Sequence, residues 1–145
     1  MNNITVVGLD VGAKRIGVAK GDLSLKIASP LKPLIRDKNI FEKVADVIRE
    51  NGAQIVVVGL PRNSNGDETA QSEFSRIFAK NLAAATDVKI VFQDESLTSI
   101  EAEKNLRGRK DFRETSLRDG TLDSEAAALI LQDFLEENGE KYGGE

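Results

Sequence analysis

Residues 4–11 read ITVVGLDV and, after the turn Gly12-Ala13-Lys14-Arg15, residues 16–19 read IGVA. The first run is apolar and β-branched at nearly every position, which suits a strand covered on both faces. Four residues are too few for a helical crossover, so the two strands are expected as antiparallel neighbours. Gly21-Asp22 then turns into a third short strand, expected near Lys26 to Ser29 and stopped by Pro30.

Beyond this meander the period changes. Ile40, Phe41, Val44, Val47 and Ile48 recur at helical spacing, with Asn51-Gly52 as a stop signal. Ile55 to Gly59 (IVVVG) reads as a buried strand, Phe74, Ile77, Phe78 and Leu82 as a second helix, and Val88 to Phe92 (VKIVF) as another strand. Thr98 with Glu101 matches a capping box for a third helix to about Leu106. Ala126, Ala127, Ile130, Leu131, Phe134 and Leu135 mark a last helix, expected to end at Asn138-Gly139. The order β-β-β-α-β-α-β-α-α predicts an α/β fold. Its five-stranded mixed sheet would join an antiparallel meander to two parallel strands, with helices on both faces and the first strand beside IVVVG. One domain over 1–138 and a flexible tail over 139–145 are expected.

Composition narrows the chemistry. The 145 residues include no cysteine and no histidine, so thiolate chemistry, histidine bases and nitrogen or sulfur metal sites are excluded. Any metal must be held by oxygen, which points to Mg2+ or Mn2+. A serine nucleophile lacks a histidine to activate it. No basic leader and no apolar run of about 20 residues is visible, so a cytoplasmic protein without membrane contact is expected. The net charge of -4 argues mildly against a nucleic-acid partner. Distribution matters more: Lys104, Arg107, Arg109, Lys110, Arg113 and Arg118 crowd one stretch, while Asp133, Glu136, Glu137, Glu140 and Glu145 sit at the end.

Three acids stand at element ends. Asp10 lies in the most apolar strand, where an ionised carboxylate needs a cation or a hydrogen-bond cage; capping the Gly12 turn would also account for it. Glu95 and its neighbour Asp94 follow the VKIVF strand, and only one of the pair can face the same way as Asp10. As loop acids, one of them beside a helix N-terminus, they would need no further role. Asp123 opens the last helix, and an N-cap explains it as well. Taken together, three acids on a common rim are what two ions about 4 Å apart require for phosphodiester hydrolysis. Arg62 and Asn63 in the loop after IVVVG, Lys14 and Arg15 in the first turn, and Arg107, Arg109, Lys110, Arg113 and Arg118 in the basic loop are candidates for holding a phosphate backbone. An ordinary β-α connection is the plainer reading of Arg62 and Asn63, solvated turn charges of Lys14 and Arg15, and a disordered polar loop of the third group.

Four blocks, in order, carry a resemblance. They are Gly8-Leu9-Asp10-Val11-Gly12-Ala13-Lys14-Arg15-Ile16-Gly17-Val18-Ala19; Val58-Gly59-Leu60-Pro61-Arg62-Asn63 with Gly66; Asp94-Glu95-Ser96-Leu97-Thr98-Ser99 with Ala102; and Leu122-Asp123-Ser124-Glu125-Ala126-Ala127 with Ile130-Leu131. The chain resembles the YqgF (RuvX) family, described both as Holliday junction resolvases and as pre-16S ribosomal RNA nucleases. The resemblance implies an RNase H-like fold, divalent-metal nuclease chemistry, and catalytic, metal-binding acids at Asp10, Glu95 and Asp123. It also implies a nucleic-acid partner, precursor rRNA or branched DNA, and a monomer or weak homodimer. Ser96 stands where the family commonly has Arg, Ser99 where a second Thr is common, and Lys20-Gly21-Asp22 where Ser-Asp is usual. A glycine often found a few residues past Gly66 is absent. Two other classes share part of this pattern. Actin-like and sugar-kinase ATPases share the Asp-x-Gly turn but need two such domains facing a cleft, and a non-catalytic nucleic-acid-binding module would not need all three acids.

Overall fold

The computed structural model describes residues 3–95 and 98–143. Its elements follow the order β1 (Thr5–Val11), β2 (Arg15–Asp22), β3 (Ile27–Ile35), α1 (Ile40–Glu50), β4 (Ile55–Pro61), α2 (Ala70–Ala83), β5 (Lys89–Glu95), α3 (Thr98–Arg107), a 3-10 turn (Glu114–Leu117) and α4 (Thr121–Gly143). The five strands form one sheet in the order β3-β2-β1-β4-β5. β1 pairs antiparallel with β2 and parallel with β4, and β5 adds parallel to β4. β1 is central beside β4, as the unbroken apolar run requires.

Alternation along the strands divides the core in two. Val7, Leu9, Val11, Ile16, Val18, Val56 and Val58 pack under Ile40, Val44 and Ile48 of α1 and Phe78 and Leu82 of α2. Val6, Ala19, Ile55 and Val57 pack on the other face under Ala127, Ile130, Leu131, Phe134 and Leu135 of α4. Asp10 is in phase with Val6 and Gly8, so it belongs to the α4 face.

Four details differ from the sequence reading. β3 does not stop at Pro30 but runs to Ile35 through both Pro30 and Pro33. It is an edge strand, where a missing N–H leaves no neighbour unpaired. Ile77, expected in the core, is half exposed. Asn138-Gly139 does not end α4, which continues to Gly143; Asn138 Nδ2 donates to Phe134 O inside the helix, and Gly139 lies against the Lys26 side chain. Helix α4 starts at Thr121, with Asp119 Oδ1 accepting from the Thr121 N–H at 3.0 Å and its hydroxyl at 2.6 Å. Asp123 is therefore inside the first turn and Asp119 does the capping. The expected Thr98–Glu101 box involves the Thr98 side chain, which, like all of Ser96, lies outside the described residues. Among the described residues no helix is long and apolar enough to cross a membrane.

Candidate active site

Glycines inside strands give up packing, and they commonly mark a place where another backbone comes close. In the β1–β2 register Asp10 pairs with Gly17. On its other side Leu9 pairs with Val58, which brings Gly59 next to Asp10. Asp10 thus stands between two glycines at the rim of the sheet. A Cβ on Gly17 would sit 2.0 Å from the carbonyl oxygen of Asp123, and a Cβ on Gly59 would sit 3.3 Å from Glu95 Oε1. The space left by two absent side chains is where the first turn of α4 and the Glu95 carboxylate approach Asp10.

Glu95 and Asp94 separate as the strand alternation demands. Glu95 lies over Gly59, whereas Asp94 accepts from Arg62 Nε at 2.9 Å. Asp123 is fixed through its neighbour. The register between β2 and β3 slips between Ile16 and Val18, and the Val18 N–H donates to the buried Ser124 Oγ at 3.0 Å. A β-bulge thereby ties the start of α4 to the sheet. Asp123 Oδ2 accepts from Arg15 Nε at 3.2 Å.

The electrostatics follow from this crowding. Burial, then the Glu95 charge, then the Asp123 charge push the Asp10 carboxyl up to about 8 from an ordinary 3.8. An anion so placed is stabilised by a cation, and the donors that face it are oxygens only. That chemistry fits Mg2+ or Mn2+. Among the described residues, no three carboxylates as they stand converge closely enough to share one ion. Asp123 is instead engaged by Arg15.

The basic candidates divide. Arg62 is engaged by Asp94, the Gly66 carbonyl and Glu68. Asn63 shapes its own loop, its Oδ1 accepting from the N–H groups of Asn65 and Asp67. Arg107 pairs with Glu103 and Glu114. Arg109 pairs with Glu125, whose side chain is 4% exposed, so it anchors the basic loop to α4. Lys14, Lys110, Arg113 and Arg118 have no ion pair among the described residues. Sequence reasoning missed Ser124, Gly17 and Gly59 as positioning residues. Glycines within otherwise apolar strands were the available signal.

A β3-β2-β1-β4-β5 sheet with helices on both faces and acids gathered at one rim is the RNase H-like architecture. The chain of T. thermophilus RuvC, in its complex with a Holliday junction substrate, matches it over 93% of this chain and 95% of that one with a TM-score of 0.57 at 15% identity. The fowlpox virus resolvase, likewise with junction DNA, matches with a TM-score of 0.53 at 16% identity over 92% and 98% of the two chains. Residues 4–137 match RuvX, described as Holliday junction resolvase, and the chain belongs to that family. A relative from Anaeromyxobacter sp. (strain Fw109-5) is 41% identical over 133 residues, 90% of this chain and 95% of its own length. One from Sulfurihydrogenibium sp. (strain YO3AOP1) is 37% identical over 133 residues, 90% and 89% of the two lengths. Both relatives bear the name "Putative pre-16S rRNA nuclease".

Proposed function

We propose that this protein is a metal-dependent endonuclease that hydrolyses phosphodiester bonds in structured nucleic acid, with Asp10, Glu95 and Asp123 as its metal-binding carboxylates. The observation that carries the reading is the buried Asp10 carboxyl, desolvated and pressed by two further acids that reach it over glycines. Such a cluster costs folding free energy and finds its return only with a cation present. Asp10, Glu95 and Asp123 would together hold the ions through their carboxylate oxygens. Mg2+ or Mn2+, when bound, supplies the polarisation of the scissile phosphate and the activation of water for which this chain has no histidine. The chain's own groups orient the substrate: Lys14, Arg118, Arg113 and Lys110, with no ion pair among the described residues, are available to phosphates, and Arg62 borders the site through Asp94.

Precursor 16S rRNA is the substrate we propose, on the names carried by the relatives that align over nine-tenths of this chain. Four-way DNA is the second reading, favoured by the description of the matched family. A side-by-side cleavage assay on precursor 16S RNA and junction DNA, each with Mg2+ or Mn2+, separates them. Metal-dependent cutting of the RNA that disappears in Asp10→Asn is the expected result. Binding of either substrate without cutting under any divalent ion would overturn the enzyme reading.

A further inference from the structure

We infer that Arg15 couples arrival of a phosphate to completion of the ion site: its guanidinium holds Asp123 in the free protein and releases it when a phosphate takes its place. This rests on the nuclease reading above and adds the order in which the site is assembled.

The backbone at Asp123 is already in place. Its carbonyl is packed where a Gly17 side chain would be, and the next residue is bonded through Ser124 Oγ to the Val18 N–H. Only the direction of the Asp123 carboxylate is left to change. Among the described residues that carboxylate is held by one bond, Arg15 Nε to Asp123 Oδ2 at 3.2 Å, between side chains 35% and 37% exposed. An ion pair so open to water is weak and easily exchanged. A guanidinium gains more from a phosphate, whose oxygens can take two parallel N–H bonds.

There is room for the exchange. Arg15 borders a cavity of about 320 Å³ that is also lined by Lys32, Pro33, Ile35, Asp119 and Thr121. Lys32 adds a second positive charge at that place. Asp119, the opposing acid, already accepts from the Thr121 N–H and hydroxyl. The Arg15 stem lies against Gly120, where a Cβ would come within 2.9 Å of Arg15 Cδ. Gly120 has φ of 98°, a conformation that favours glycine, so the turn lets the Arg15 stem lie close against it and sets the guanidinium at the edge of that cavity. Release of Asp123 brings a third acid toward Asp10 and Glu95. By linkage, an ion bound there strengthens phosphate binding by the same factor.

The test measures Mn2+ binding to the full chain by electron paramagnetic resonance of the free ion. It is run at 4 °C with and without a short RNA hairpin, after subtracting the Mn2+ held by the hairpin alone and confirming on a gel that the RNA stays intact. For the wild-type protein the hairpin should raise Mn2+ affinity about threefold, the scale of a half-exposed ion pair. Arg15→Gln should bind Mn2+ about threefold more tightly than wild type without RNA, and the hairpin should then add much less. Lys32→Gln removes a nearby charge without touching Asp123, and it should keep most of the RNA-induced rise. Equal or weaker Mn2+ binding by Arg15→Gln, an undiminished rise in that variant, or identical behaviour of the two variants overturns the coupling. Mn2+ binding by Asp10→Asn equal to that of wild type overturns instead the ion site on which the coupling rests.

Discussion

The two faces of the same sheet are built on opposite terms. Under α1 and α2 it offers Val7, Leu9, Val11, Val18, Val56 and Val58, all buried, and two helices close over them in ordinary hydrocarbon packing. Under α4 it offers Gly8, Gly17, Gly21 and Gly59, each so close to α4 or to Glu95 that a methyl group would collide. The first face converts side-chain volume into stability. The second surrenders volume so that a helix start and two strand ends can bring carboxylates together at Asp10, and there it accepts an electrostatic cost. Stability and chemistry are thus separated by the pleat of β1, one residue apart.

The comparison can be broken in several ways. The largest expected effect is on activity: Asp10→Asn should lower metal-dependent cleavage more than about a hundredfold, since disturbing even the groups that orient a ligand costs that much. Circular dichroism should show the fold intact. Gly17→Ala should cost about 3 kcal/mol or more in a denaturant titration, because its methyl meets the Asp123 carbonyl at 2.0 Å and the Val18–Ser124 bond must stretch. A cost under about 1 kcal/mol would mean that α4 is not held as closely as its glycines indicate.

The charge cost of the α4 face has its own signature. Asp10 keeps a proton to about pH 8 in the folded chain but only to its ordinary 3.8 when unfolded. Without ions, stability should therefore fall as pH rises from about 4 and level off above about 8. In chelator, Asp10→Asn should lose most of that fall, gaining on the order of 3 kcal/mol over wild type at pH 8.5 relative to pH 5. Parallel melting curves of the two proteins across that range would count against the burial of Asp10. On the other face Val44→Ala should cost about 2 kcal/mol for its cavity. It should leave cleavage by the folded enzyme unchanged, which a temperature-matched assay checks. The smallest effects belong to the loop: Lys110→Ala or Arg113→Ala should each reduce the salt slope of RNA binding by about 0.7 to 0.9. Arg109→Ala should instead lower the melting temperature, because it strands the buried Glu125.

Much of this was legible in the chain. Residues 4–11 are too continuously apolar for anything but a central strand, and the short turn after them forces an antiparallel partner. The spacing of Val44 and Ile48, or of Ile130, Leu131 and Phe134, states which helix faces turn inward. The absence of cysteine and histidine restricted any metal chemistry to oxygen ligands. Each of these follows from local period or composition, and neither depends on what lies across space.

What local pattern could not supply was the partner of each polar group. Pro30 reads as a stop, yet β3 runs on through it and Pro33 because it is an edge, where no neighbour needs their missing donors. Asn138-Gly139 reads as a helix end, yet Gly139 lies against Lys26 from more than a hundred residues earlier, and α4 runs on. Asp123 reads as a cap because the capping Asp119 lies only four residues before it and either acid satisfies the rule. Six arginines and lysines look equivalent in one basic loop, but only the folded chain sets Glu103 and Glu114 beside Arg107 and buries Glu125 against Arg109. The sequence determined the strands, the helices and the kinds of atom a site could use. Tertiary structure decided which acids meet, because that depends on glycines beside Asp10 in the register and on the bond from Val18 to Ser124, at the slip between β2 and β3, that places the first turn of α4, and both act between residues far apart along the chain.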